Sequence, residues 1–125
     1  MSGGEDLPRA RRLRKRAGFV AVQGRGKKLH TYSFLVFVLP RSLPSSPMGG
    51  SPLPTRLGVT VSKKVGGAVE RNRVKRLLRE AFRRRKALFP QGLDLVFVAK
   101  RIAIEADFDQ VVREIEKLCS RHFAR

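Results

Sequence analysis

Apolar positions along this chain change their spacing several times, and each change predicts an element. From Thr31 to Leu39 the run TYSFLVFVL is almost continuously aromatic or β-branched, bounded by Gly26 upstream and Pro40 downstream, which predicts a strand. Lys27 to His30 predicts a shorter strand pairing with it as a hairpin. Continuous apolarity does not say which residues face a core. In Arg56 to Ser62 the alternation returns: Val59 and Val61 share an inward face, leaving Gly58, Thr60 and Ser62 on the open one. After Gly66 and Gly67 the period becomes helical, with Val74, Leu77, Leu78, Ala81 and Phe82 three and four apart in one stripe. Pro90 to Gly92 make a turn, and Asp94 to Lys100 (DLVFVAK) form a further strand, parallel to the one before the helix as a strand–helix–strand unit requires.

The two ends are helical. Phe108, Val111, Val112, Ile115, Leu118, Cys119 and His122 form the stripe of a helix over Asp107 to Phe123, with Asp107 as N-cap and Asp109 at the positive end of its dipole. Near the front, Leu13, Ala17, Phe19 and Val20 predict a short basic helix from Arg11 to Gln23, ended by Gly24 and interrupted by Gly18. The order is helix, three strands, helix, strand, helix (αβββαβα). The class is therefore α/β (α+β), a two-layer sandwich with a small mixed sheet of three to four strands. Residues 1–125 make one domain, with a disordered tail over 1–6 and a flexible Pro/Ser/Gly loop over 40–55. That loop holds five prolines, four serines and two glycines without periodicity, too little apolar surface to offset its ordering.

Charge changes the picture most. Lys and Arg number 28 against 10 Asp and Glu, a formal charge of +18, which points to a polyanionic partner. On the central helix Arg71, Arg73, Lys75, Arg76, Arg79 and the run Arg83, Arg84, Arg85 crowd the arc left by the apolar stripe. Their mutual repulsion is relieved when a polyanion binds and its condensed counterions are released, so nucleic acid is the first partner to consider. No apolar run is long enough to span a bilayer, and the basic front lacks an apolar signal core, so a cytoplasmic protein is expected. Six of the ten acids lie from Asp94 onward, which sets that end away from a nucleic acid. Cys119 is the only cysteine and lies on an apolar stripe, where a small buried residue is expected.

The ordered string Ser62, Lys63, Lys64, Val65, Gly66, Ala68, Val69, Glu70, Arg71, Asn72, Arg73, Val74, Lys75, Arg76, with Arg79 and Phe82 behind it, closely resembles the RNR signature of the protein subunit of bacterial ribonuclease P. LRKRAGF, at Leu13 to Phe19, resembles that family's first-helix pattern, though Gln23 stands where many relatives carry a second aromatic. The resemblance implies a left-handed crossover of the kind seen in the second domain of a small-subunit ribosomal protein. It implies that Lys63, Lys64, Arg71, Asn72, Arg73, Lys75, Arg76, Arg79 and Arg83 grip the catalytic ribonuclease P RNA. Arg16, Phe19, Leu35, Phe37, Thr60 and Ser62 would line a groove for the 5′ leader of precursor tRNA, with Phe34, Val36 and Val38 turned inward. Core packing is the second reading of Phe19 and Phe37, and a solvated helix face that of the cations.

The chain carries no recognisable nuclease chemistry of its own. Glu5 with Asp6 belong to the tail, and Glu105, Asp107 and Asp109 surround a helix start. Glu114 with Glu116 suit a helix surface, while His30 and His122 are far apart, His122 on an apolar stripe. No zinc, ATP or dinucleotide motif is present. The resemblance agrees: it places the active site and its Mg2+ in an RNA subunit, with no catalytic, metal or cofactor-binding residue in the protein. It implies a heteromeric ribonucleoprotein with neither a membrane nor a small-molecule substrate as partner. The rival reading is a structural, ribosomal-type rRNA-binding protein; a helix-turn-helix DNA binder fits less well, because the basic helix follows a strand.

Overall fold

The structure, a computed structural model, describes residues 11–13, 15–41 and 54–123. Among them the chain forms helix α1 (Arg16–Arg25), strands β1 (Lys27–His30), β2 (Phe34–Pro40) and β3 (Arg56–Thr60), helix α2 (Ala68–Arg85), strand β4 (Leu93–Ala99) and helix α3 (Phe108–His122). The strands form one mixed sheet in the order β1-β2-β4-β3. The β1–β2 and β2–β4 pairs are antiparallel, and β3–β4 is parallel across the α2 crossover, as the alternation of strand and helix requires. No described helix is long and apolar enough to cross a membrane.

The larger core lies between one sheet face and the α2–α3 layer. Phe34, Val36 and Val38 of β2 point into it, as the resemblance implies, beside Leu95 and Phe97 of β4 and Leu57 of β3. Val74, Leu78, Ala81 and Phe82 come down from α2, and Val111, Val112, Ile115, Leu118 and Cys119 from α3. Phe34 meets Phe97 edge to face at 5.7 Å, and Phe82, Phe89 and Phe123 continue the aromatic packing. Each such buried ring contributes about 1.5–3 kcal/mol by transfer alone. Asp107 caps α3 by accepting from the Gln110 amide at 2.8 Å. Gly92, at φ 82°, makes the left-handed turn into β4 that other residues would resist.

Several boundaries differ from the expectation. α1 begins at Arg16, because Arg12 and Leu13 pair with β3: Leu13 donates its amide to Leu57 O at 2.8 Å, and Arg12 bridges Leu57 in parallel. The free edge of β3 offers unpaired backbone groups that outcompete helical spacing. Gly24 stays inside the last turn, and the helix ends at Gly26, whose amide donates to Val22 O at 2.7 Å. The long strand starts only at Phe34, since Thr31 to Ser33 form the turn from β1, and β3 stops at Thr60. His122 is exposed, although its helical position continues the stripe of Val111, Ile115 and Leu118. The tail and residues 42–53 of the Pro-rich segment lie outside the described residues.

Candidate nucleic-acid interface

The second sheet face carries a smaller cluster. Leu13, Val22 and Val96 are buried there, with Phe19, Phe37, Leu39 and Val98 packed around them and partly exposed. α1 covers this face only in part, lying on β2 and β4. Its Phe19 ring rests on Gly58, so closely that a Cβ there would lie 2.7 Å from two ring carbons. The open face predicted at Gly58 is thus occupied by the chain's own phenylalanine, which needs a glycine beneath it. Beside α1 a row stays uncovered. Register places Thr60 against Val98, Val98 against Leu35 and Leu35 against His30, and the first three are half-buried. Phe37 stands in the neighbouring row with Lys28 on one side and Val96 on the other. Both phenylalanines are therefore partly packed and partly exposed.

Val96, Val98 and Lys28 were not singled out from the sequence. The alternation that would have exposed the first two is hidden in DLVFVA, where Leu95, Phe97 and Ala99 face the larger core and their neighbours the smaller one. At one end of this face Arg56 grips Asp94 through two contacts of 2.8 Å, Nε to Oδ1 and a terminal nitrogen to Oδ2. These hydrogen bonds hold the Arg56 guanidinium above its ordinary pKa. At the other end Lys100 donates to Thr31 O at 2.8 Å. Arg16, at the exposed start of α1, completes the predicted groove residues together with exposed Ser62.

From Thr60 the chain runs directly into the cationic surface. Ser62, Lys63 and Lys64 are exposed, and the turn closes as the Val65 amide donates to Ser62 O at 3.0 Å. On α2 Val69, Asn72, Arg76 and Arg83 succeed one another on the arc opposite Val74, Leu78 and Ala81, with Val69 80% exposed. Lys75 and Arg79 are half-exposed. The predicted cations are not equivalent. Arg73 donates to Ile104 O at 3.3 Å and to Ala106 O at 2.9 Å, closing the 3₁₀ turn before α3. Arg83 and Arg84 both pair with Glu80, whose carboxyl is held below its usual range chiefly by the hydrogen bond from Arg83. Arg71 Nε is buried and meets no acceptor among the described residues. Lys63, Lys64, Lys75, Arg76 and Arg79 have no ion-pair partner among the described residues. No group of three or more His, Cys, Asp or Glu is assembled for a metal among the described residues.

Residues 7–122 match the family model Ribonuclease P. The chain belongs to the ribonuclease P protein family. A ribonuclease P protein component of Desulfovibrio desulfuricans is 48% identical over 117 residues, 92% of this chain and 85% of that one. The component of Citrifermentans bemidjiense is 42% identical over 88% and 86%. Among solved structures, the RNase P protein of Staphylococcus aureus superposes with a TM-score of 0.74 at 27% identity, covering 92% of this chain and 97% of that one. The RNase P protein from Thermotoga maritima gives 0.73 at 32% identity, over 90% and 98%. Ribonuclease P membership makes this chain the protein subunit of an RNA-processing endonuclease, working as part of a ribonucleoprotein, and sets aside the ribosomal-scaffold reading.

Proposed function

We propose that the protein binds the catalytic ribonuclease P RNA through α2 and the turn before it, and receives the 5′ leader of precursor tRNA in the groove beside α1. The observation that carries this reading is the junction of two surfaces of different chemistry by one short turn. The uncovered Thr60, Val98, Leu35 row, edged by Phe19 and Phe37, suits single-stranded bases, because every base has a π-face and an apolar surface accepts it without reading sequence. The cations at Lys63, Lys64, Lys75, Arg76 and Arg79, unpaired among the described residues, suit the phosphates of a folded RNA, with Asn72 as a neutral positioning donor. Arg73 contributes by tying α2 to the turn before α3, and Arg83 pairs with Glu80 within α2. Phosphodiester hydrolysis belongs to the RNA subunit and its Mg2+ ions; the protein's part is positioning, within a cytoplasmic complex that removes the leader and leaves the mature 5′ end.

Reconstitution tests this. Protein alone, catalytic RNA alone and the two together are assayed on precursor and mature tRNA. The holoenzyme is expected to bind the precursor more tightly than the mature form. Phe37→Ala is expected to reduce that preference by about 1–3 kcal/mol while leaving mature tRNA untouched. Cleavage by the protein alone at a comparable rate, or equal affinity of the holoenzyme for the two tRNAs, would count against it.

A further inference from the structure

A second surface meets the end of the groove. The row of Thr60, Val98, Leu35 and His30 crosses four strands, about 14 Å. It ends at His30, which also lines a cavity of about 470 Å³ between the β1–β2 turn and α3. At the mouth of this cavity Tyr32 is 68% exposed, although its neighbours are firmly held. The Glu114 carboxylate accepts from the Thr31 hydroxyl at 2.7 Å, the Ser33 amide at 2.8 Å and the Ser33 hydroxyl at 2.6 Å, fixing the turn on both sides of the ring. Gln110 adds a fourth donor at 2.9 Å. An aromatic ring held out in water by so many hydrogen bonds is preorganised for stacking.

The same cavity is lined by Arg113, Lys117 and Arg121, four residues apart on one face of α3, all exposed and none with an ion-pair partner among the described residues. The acids of this region are largely committed elsewhere. Glu114 is taken up by the turn, Glu116 by Arg85 at 3.0 Å and Asp107 by the cap of α3, while Asp109 stays exposed one turn before Arg113. The lining of the cavity thus carries three cations against the one committed carboxylate of Glu114, although the acid count alone set this end apart from RNA.

We propose that the leader of precursor tRNA, on leaving the groove at His30, continues onto this face, with a base stacked on Tyr32 and backbone phosphates on Arg113, Lys117 and Arg121. This rests on the leader reading of the groove and lengthens its path. The consequence is dependence on leader length: nucleotides beyond those spanning the sheet add affinity that a short leader cannot supply.

The test uses the reconstituted holoenzyme with precursors carrying leaders of roughly four and roughly sixteen nucleotides, the limits of single-strand site sizes on small folds, and mature tRNA as reference. Tyr32→Ala is expected to weaken the long-leader precursor about fivefold or more, with Tyr32→Phe restoring it. The combined Arg113→Gln, Lys117→Gln, Arg121→Gln variant is expected to shallow the salt dependence of long-leader binding by about 0.7 per cation. Short-leader affinity should hold in each variant, and melting curves confirm that each is folded. Equal loss with both leaders, no loss with either, or weakened assembly with the catalytic RNA would overturn the extension while the groove reading stands. Failure of the wild-type holoenzyme to prefer even the short-leader precursor over mature tRNA would remove the groove reading as well.

Discussion

Arg73 and Arg76 lie three residues apart on α2, within the same basic string, yet only Arg73 is spent on the fold. Its guanidinium satisfies two carbonyls of the turn that leads to α3, whereas Arg76 is exposed and free of partners among the described residues. Arg73→Ala is expected to cost about 1–2 kcal/mol of stability. Arg76→Ala should leave melting nearly unchanged and shallow the log-log salt slope of catalytic-RNA binding by about 0.7–0.9. Thermal melts and salt titrations on both variants decide it; a stability loss in Arg76→Ala with an unaltered slope would reverse the assignment. The string of residue types was legible in the sequence, but this division was not, because the acceptors of Arg73 lie more than thirty positions away. Cys119 shows the opposite case, since its place on an apolar stripe already implied a buried thiol. Burial pushes that thiol up to about 12, so in native protein at pH 8 it should resist alkylation that proceeds on unfolding. Because the folded pKa is raised, its contribution to stability is complete below the ordinary thiol pKa. It is lost as pH rises from there toward about 12, a slope that Cys119→Ala should lack.

Elements dock by features narrower than their periodicity. α1 has almost no segregation of apolar from polar positions, and Val22 is its one fully buried residue among those described. What seats it is local: the Phe19 ring on the bare backbone of Gly58, with Leu13 alongside. Gly58→Ala would place a methyl 2.7 Å from the ring and 3.2 Å from Leu13 Cβ, so the helix must move. The expected cost is about 1–3 kcal/mol, with weaker binding of precursor and little change toward the catalytic RNA, because α2 packs on the opposite face of the sheet. Unchanged melting and unchanged precursor affinity would show that the groove does not depend on where α1 sits. The start of α1 was misplaced from the sequence for a related reason. Arg12 and Leu13 have acceptable helical spacing, but the edge of β3 claims their backbone.

At the scale of the whole molecule, a charge of +18 makes RNA association a salt-governed process, while the insertion between β2 and β3 adds length without adding cations beyond Arg41 and Arg56 at its flanks. Shortening residues 43–53 to about four is expected to change stability and processing little, since closure entropy varies slowly with loop length. Collapse of leader affinity in that variant would promote the segment to a binding element. The sequence by itself determined the αβββαβα order, the N-cap of α3 and the signature that identifies the family. All of these follow from residues within a few positions of one another, where period, capping and local turns are set. Tertiary structure alone decided which face of β4 is wet, that Phe19 sits on Gly58, and which arginines are free. It also decided that the tip of the β1–β2 hairpin meets the cations of α3. Each of these depends on strand register and helix docking, through which residues thirty to eighty positions apart become neighbours, and a nearly continuous apolar run such as DLVFVA carries no alternation from which that register can be read.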